Sequence, residues 1–342
     1  AGTVALERVR VAFEHASISY GRGTVFVRSS IGVTGLVSGE TSEDLVVRAD
    51  AACYGAKARG RNRLEFYRTS GTEMVQIAAD IGWSEQIRKA LDEDGFVLHF
   101  QPIAHIETGA VSHYEVLLRM RGEHGRLVPP DAFMPAANRF GLMSAIDEWV
   151  IRNGLASLAR FREDQPDVSL TLNISGNIFE DTDLPRHIRT HLEANNLPAS
   201  AVILEITEQV AIGNMVNARR QMGALTKLGC RFALDDFGSG YSSYNYLKSL
   251  PVDFVKIDGV FIEGLVDDPV DQEIVRSICV IAGAAGKQTI AEYVENSETY
   301  HLLGRLGVQY AQGYFVGRPK AKLGVGSLPP AISGARRKRR AS

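Results

Sequence analysis

The chain has 342 residues, 45% hydrophobic and 23% charged, an ordinary globular composition, and its formal charge of −2 argues against a nucleic-acid polymer as partner. No apolar run reaches the roughly 18 residues of a membrane span, and no segment resembles a signal peptide. The three cysteines, Cys53, Cys230 and Cys279, lack CxxC spacing and read as reduced thiols of a cytoplasmic protein, not as zinc ligands.

Residues 1–70 read as an α+β segment. A helical start, VRVAFEH, leads to a strand pair across GTVFVRSSIGV and then to a helix. In that helix Leu45, Ala49, Ala52 and Ala56 recur on one face, Thr41 or Ser42 caps and Gly60 terminates. Residues 71–94 read as an amphipathic helical linker with Ile77, Ile81, Ile87 and Leu91 near one face, stopped by Gly95.

From 95 to 327 short apolar strands alternate with helical patterns. The strands are FVLHFQPI, HYEVLLRM, LTLNIS, AVILEIT, RFALDD, DFVKID, QTIAEYV and VQYAQGYF. AIDEWVIRNGLASLARFRE, MVNARRQMGALTKLG and DQEIVRSICVIAGAAG are among the helices between them. Eight strands with helical crossovers over ~240 residues suggest a TIM-like (β/α)8 barrel. The first link, AHIETGAVS, is too short for a crossover helix, so the first strand is expected to run antiparallel to the rest.

Polar residues stand where the strands should emerge: Glu115 and Arg119, Asn173, Glu205, Asp235 with Asp236, Lys256, Glu292 and Gln312. Singly each has a plain explanation, such as a cap, a turn or a snorkelling lysine. Seven consecutive strands repeating the pattern point instead to the carboxyl-terminal face, where barrel enzymes keep their chemistry. Carboxylates and an amide without histidine or cysteine suit Mg²⁺ or Mn²⁺ rather than zinc. Converging carboxylates need cations, and adjacent Asp235 and Asp236 can bridge one ion and hold a second about 4 Å away. Lys256 and Arg119 suit an arriving phosphate oxygen. Metal-assisted proton abstraction beside a carboxylate is a rival chemistry that the Asp pair and Arg119 make less fitting.

At these residues the region from about 84 to 325 resembles an EAL-type cyclic di-GMP phosphodiesterase domain. EVLLR at 115–119, LNIS at 171–174, LEITE at 204–208 and DDFGSGYSS at 235–243 carry the likeness. VKID at 255–258, AEYVE at 291–295 and QGYFVGRP at 312–319 continue it in order. The resemblance implies a barrel with one antiparallel strand and hydrolysis of cyclic di-GMP to linear pGpG with two Mg²⁺ or Mn²⁺ ions. Glu115, Asn173, Glu205 and Asp235 would hold one ion, and Asp235 with Asp236 the other. Glu292 and Lys256 would act on the attacking water, Arg119 would grip phosphate, and Gln312 would orient a polar group. Glu208 would brace the 235–243 loop, near which the family forms homodimers. Val116 departs from the family's alanine. Some members with that variant are receptors, so a non-catalytic cyclic di-GMP receptor is the alternative. Strand alternation turns Val116 away from Glu115, so packing is affected more than ligation.

SSIGV at 29–33 and RADAACYGAKARGRNRLEFY at 48–67 resemble the second half of a GGDEF diguanylate cyclase domain. The chain contains no Gly-Gly dipeptide, so no cyclase activity is expected. Residues 328–342 form a basic tail with Arg336, Arg337, Lys338, Arg339 and Arg340. It reads as a solvated, disordered end, with contact to an anionic surface as the lesser alternative.

Overall fold

The structure, a computed structural model, describes residues 2–15, 17–20, 23–26, 29–36, 41–58, 62–67, 71–122, 125–176, 184–213, 215–238, 247–248, 250–324 and 328. Two compact units divide the chain. One comprises Ala1–Gln86 with Pro135–Phe140, the other Ile87–Met134 with Gly141–Ser342. The division falls between Gln86 and Ile87, inside the segment expected to link two domains.

In the first unit, α1 (Gly2–His15) precedes an antiparallel hairpin of β1 (Ser17–Tyr20) and β2 (Gly23–Phe26). A second pair, β3 (Ile31–Val33) and β4 (Leu64–Phe66), runs parallel through the crossover helix α2 (Ser42–Ala58). The expected strand pair is thus two pairs, because GTVF pairs with SISY and IGV with LEF. Ala52 and Ala56 are buried as their spacing requires, whereas Leu36 and Val46 lie exposed. Gly60, expected to end α2, and the side chains of Ile77 and Ile81 lie outside the described residues. Helix α3 (Gly71–Asp92) buries Ile87 and Ala90. Its stop is shared. Asp94 takes the left-handed conformation (φ 53°), and Gly95 then donates its N–H to Ala90 O at 2.8 Å. A Cβ on Gly95 would sit 2.8 Å from Ala90 Cα, so the close approach excludes any side chain.

The second unit is a closed barrel. β5 (Phe96–His105) and β6 (Val111–Arg121) form an antiparallel hairpin. β7 (Leu127–Val128) pairs with the end of β6. β8 (Ser169–Asn173), β9 (Val202–Thr207), β10 (Arg231–Phe237), β11 (Phe254–Ile257), β12 (Gln288–Ala291) and β13 (Tyr310–Gln312) follow. These six run parallel with β6, and β13 closes the ring on β5 antiparallel. One reversed strand among eight is the arrangement expected from the short first link.

Helices α4 (Pro130–Arg139), α5 (Met143–Arg162), α6 (Leu184–Ala194), α7 (Glu208–Gly213), α8 (Met215–Leu228), α9 (Pro269–Ala284) and α10 (Ser297–Leu306) lie between the strands. Helices α5, α8 and α9 are the three named from periodicity. The start of α9 is local chemistry: Asp268 accepts from Val270 N at 2.8 Å and Asp271 N at 3.3 Å, with Pro269 at the first helical position.

Inside the barrel Ile103, Ile203, Ala233, Phe254 and Ile290 form a buried layer against Tyr310. Burying each aliphatic side chain of this kind contributes about 1.5–3 kcal/mol. Towards the amino-terminal ends of the parallel strands, the His113 ring lies 5.5 Å from Phe254 and 5.3 Å from Tyr310. Burial first, then the charges of Arg231 and Lys256, push the His113 pKa down to about 3. The native imidazole therefore stays neutral while the unfolded one takes a proton near pH 6.5. Stability from this site is full above pH 6.5 and is lost as pH falls towards 3. Thermal melts of His113→Phe are expected to fall less steeply than wild type between pH 6.5 and 4. Parallel slopes would exclude His113 as the acid-sensitive group.

Candidate active site

Strand pleating carries the core layer directly into a polar one. Ile203, Ala233, Phe254, Ile290 and Tyr310 are each followed two residues later by Glu205, Asp235, Lys256, Glu292 and Gln312. β5 runs the other way, so Gln101 precedes Ile103. Gln101 stands opposite Glu115 in the β5–β6 register, and Asn173 opposite Glu205 between β8 and β9.

The centre of this layer is Lys256, 1% exposed. Its Nζ lies 2.5 Å from Glu205 Oε1, 2.8 Å from Glu292 Oε1, 2.9 Å from Asp235 Oδ1 and 3.7 Å from Glu115 Oε2. Glu115 in turn accepts from Asn173 Nδ2 at 2.8 Å and from Gln312 Nε2 at 2.5 Å. Gln312 also donates to Gln101 Oε1 at 3.3 Å, and Gln101 donates to Gly317 O at 3.3 Å. Lys256 is thus surrounded by carboxylates within the layer, where the sequence had suggested an arriving phosphate as its partner.

Asp235, Asp236 and Glu292 offer carboxylate oxygens that all lie within 4.8 Å of one another. A register shift between Leu234 and Phe237 breaks the β10–β11 ladder, and Asp236 takes φ 56° within it. Left-handed backbone at a non-glycine residue costs on the order of 1–3 kcal/mol, and such residues cluster at functional sites. Tyr293, next to Glu292, is also left-handed at φ 52°. Gly313 (φ 155°) lets the turn after β13 lie against Val294, where a Cβ would fall 2.2 Å from the Val294 nitrogen.

Four carboxylates around one ammonium cannot all ionise without large repulsion. Burial pushes the Glu205 carboxyl well above its usual range, against the pull of Lys256. Burial likewise raises Glu292, to about 7, again opposed by Lys256. Asp236 is raised by burial and by Asp235. For Asp235 burial acts upward too, but the charge of Lys256 and its hydrogen bond hold the carboxyl below its ordinary value. Burial alone would lower Lys256; Glu115, Glu205, Glu292 and Asp235 outweigh it and hold the ammonium well above its usual range. The Glu205 Oε2 atom is buried with no hydrogen-bond donor among the described residues. A carboxylate oxygen cut off from both water and donors is costly, and a divalent cation is the partner that hard oxygen donors accept.

Beside the cluster lies a pocket of about 490 Å³, within the range of small-ligand sites. Glu115, Glu292 and Gln312 join it to the carboxylate layer, and Arg119 stands on its wall with Nη1 donating to Leu118 O at 2.7 Å. Asp131, Tyr293, Glu295 and Tyr314 complete the polar and aromatic lining. These four and Gln101 escaped the sequence reading. Gln101 carried a usable signal, since it shares the inward parity of Ile103; Asp131 in the first turn of α4 and the three loop residues carried none. Glu208 is buried at the start of α7. Residues 239–246 of the loop it was expected to brace lie outside the described residues.

Fold and cluster together define an α/β barrel with one reversed strand and an acidic, lysine-centred layer at the strand ends. The family model "EAL domain" matches residues 84–319, and the chain belongs to that family. Cyclic di-GMP phosphodiesterase PdeB of Shewanella oneidensis is 39% identical over 282 residues, covering 82% of this chain and 33% of PdeB. The bifunctional diguanylate cyclase/cyclic di-GMP phosphodiesterase MucR of Pseudomonas aeruginosa is 33% identical over 325 residues, 93% of this chain and 46% of MucR. The chain therefore spans a third to under a half of the length of these relatives. Among solved structures, PaMucR phosphodiesterase in complex with c-di-GMP matches with TM-score 0.67 and 32% identity over 70% of this chain and 97% of that one. The FimX EAL domain of Pseudomonas aeruginosa bound to c-di-GMP matches with TM-score 0.67 and 31% identity over 71% and 98%.

Proposed function

We propose that this chain hydrolyses one phosphodiester bond of cyclic di-GMP, giving linear pGpG. The observation that carries the proposal is the convergence of Glu115, Glu205, Asp235 and Glu292 on Lys256 beside a pocket bearing Arg119. The names of PdeB and MucR and the ligands of the PaMucR and FimX structures support it.

The unpartnered Glu205 Oε2 and the Asp235, Asp236, Glu292 group fit two Mg²⁺ or Mn²⁺ ions. Glu115, Asn173, Glu205 and Asp235 would hold one and Asp235 with Asp236 the other. When bound, such ions polarise the phosphoryl oxygen and acidify the attacking water. Glu292, whose Oε1 lies 2.8 Å from Lys256 Nζ, takes a proton from the attacking water as the new P–O bond forms. Lys256 holds the carboxylates in register, Gln312 orients Glu115, and Arg119 faces the substrate phosphate. The ester bond to the departing 3′ oxygen breaks, and that oxygen is protonated as it leaves. Asp131 and Glu295 on the pocket wall are acceptors that match the N1–H and amino edge of guanine.

Purified protein is expected to convert cyclic di-GMP to pGpG with Mg²⁺ or Mn²⁺, read by chromatography, and to stop on chelation. Ca²⁺ favours more ligands and looser geometry, so turnover in Ca²⁺ alone is expected to be at least tenfold lower. Nucleotide binding that persists in chelator, without turnover under saturating Mg²⁺ or Mn²⁺, would instead favour the receptor reading that Val116 suggests.

Further proposals accompany this one. The barrel domain spans 95–327, with a linker at 71–94 and a tail at 328–342. Residues 1–70 are a GGDEF-like segment, a reading supported by the match to MucR over 93% of the chain. The protein acts in the cytoplasm as a homodimer formed through the barrel, with Glu208 bracing the adjoining loop.

A further inference from the structure

Charge is unevenly distributed along the chain. Eight of its 38 basic residues and none of its 40 acidic ones fall in residues 316–342. Three of the eight, Arg318, Lys320 and Lys322, are exposed on a strap that follows the last barrel strand. The strap is tied down. Phe100 N donates to Lys320 O at 2.7 Å, Lys320 N donates to Phe100 O at 3.1 Å, and the Tyr114 hydroxyl donates to Gly324 O. Leu328 N donates to Gly109 O at 2.7 Å. It therefore lies along the β5–β6 hairpin, the strand connection that has no crossover helix.

Between strap and hairpin is a pocket of about 150 Å³ with apolar walls from Phe100, Pro102 and Val316, rimmed by Arg318, Lys320 and Lys322. Among the described residues, no acidic one lines it. Arg318 is stacked over the Tyr314 ring at 4.0 Å, which leaves Lys320 and Lys322 as its point charges. The five remaining cations, Arg336 to Arg340, begin 14 positions after Lys322 in sequence, within about 50 Å of extended chain.

Cations beside apolar walls suit a surface that offers phosphate above hydrocarbon. Residues 316–342 contain no aromatic side chain on which a base could stack, but Leu323, Val325, Leu328 and Ile332 are interspersed with the basic ones. We propose that the 316–324 strap, with the basic run that follows it in sequence, docks this protein on an anionic phospholipid bilayer as a peripheral partner. The site is separate from the carboxylate cluster, and the inference does not depend on turnover of a cyclic dinucleotide.

The test is co-sedimentation of the full chain with vesicles of phosphatidylcholine containing phosphatidylglycerol, against phosphatidylcholine alone, at low and high salt. Binding is expected only with phosphatidylglycerol and is expected to be lost at high salt, since screening shortens the reach of each charge. Each basic side chain near such a surface is worth about fivefold in affinity. The Lys320→Ala/Lys322→Ala double variant should therefore bind ~25-fold more weakly. Replacing Arg336, Arg337, Lys338, Arg339 and Arg340 by alanine should weaken binding by on the order of a thousandfold. No vesicle binding, equal binding to phosphatidylcholine alone, or a strap variant that binds like wild type would overturn the proposal. Tighter capture of a double-stranded DNA fragment than of the vesicles would overturn it as well.

Discussion

Replacing Lys256 with methionine is expected to lower the melting temperature far more in chelator than in Mg²⁺. The ammonium contacts Glu205, Asp235 and Glu292 within 2.9 Å and stands 3.7 Å from Glu115; Lys256, Glu205 and Glu115 are buried, and Asp235 and Glu292 are partly buried. Removing one partner from a buried ion cluster costs about 3–5 kcal/mol, because the charges left behind have no compensation. Protonation of Glu205 and Glu292, whose carboxyls are already raised, recovers part of that loss. Divalent ions on the same carboxylates should recover more, so the Mg²⁺-induced rise in melting temperature should be larger in the variant than in wild type. Hydrolysis should fall by ~100-fold or more, as the water-activating group loses its partner. Equal melting shifts with and without Mg²⁺ would show that cation and lysine do not share these carboxylates.

A second large effect should separate two neighbours on one strand. Glu115→Ala removes the acceptor of Asn173 and Gln312 and one oxygen donor of the cluster. Its turnover is expected to drop about a thousandfold or more, the scale on which single electrostatic groups of active sites act. Its stability should change little, because two lost hydrogen bonds are offset by relief of carboxylate repulsion. Val116→Ala should do the reverse. Val116 is 3% exposed, opposite Phe100 in the β5–β6 register, on the other side of the strand from Glu115. Losing two methyl groups from a packed site costs about 1–2 kcal/mol, while turnover should stay within about twofold of wild type. Kinetics and melts of both variants check this. A Val116→Ala change in turnover comparable to that of Glu115→Ala would mean the strand face has been misassigned.

The elements most legible in the sequence were those whose pattern is local. Short apolar runs alternating with helical patterns marked the barrel strands, and the nine-residue link AHIETGAVS was enough to reverse the first of them. Helices α5, α8 and α9 stood out because their apolar residues repeat over about four turns or more. Helix α10 was not singled out, although Asn296 caps it through Thr299 N at 2.8 Å and Gly307 ends it at φ 97°. At ten residues it has too few turns for periodicity to stand out. Helix α4 was obscured by Pro135 inside it.

The site divides along the same line. Residues that alternate with a strand core are readable, because pleating fixes which side they face. Glu205, Asp235, Lys256, Glu292 and Gln312 could therefore be assigned to one rim before any coordinates. What each of them touches was decided only by closure of the barrel. Lys256 pairs with carboxylates from β9, β10 and the end of β12 because the ring brings three strands around it, and no spacing along the chain encodes that distance. The left-handed turns at Asp236 and Tyr293, the first turn of α4 bearing Asp131, and the loops bearing Glu295 and Tyr314 were likewise invisible beforehand. Loop backbone has no period, so its side chains acquire a direction only when the packed strands fix both ends.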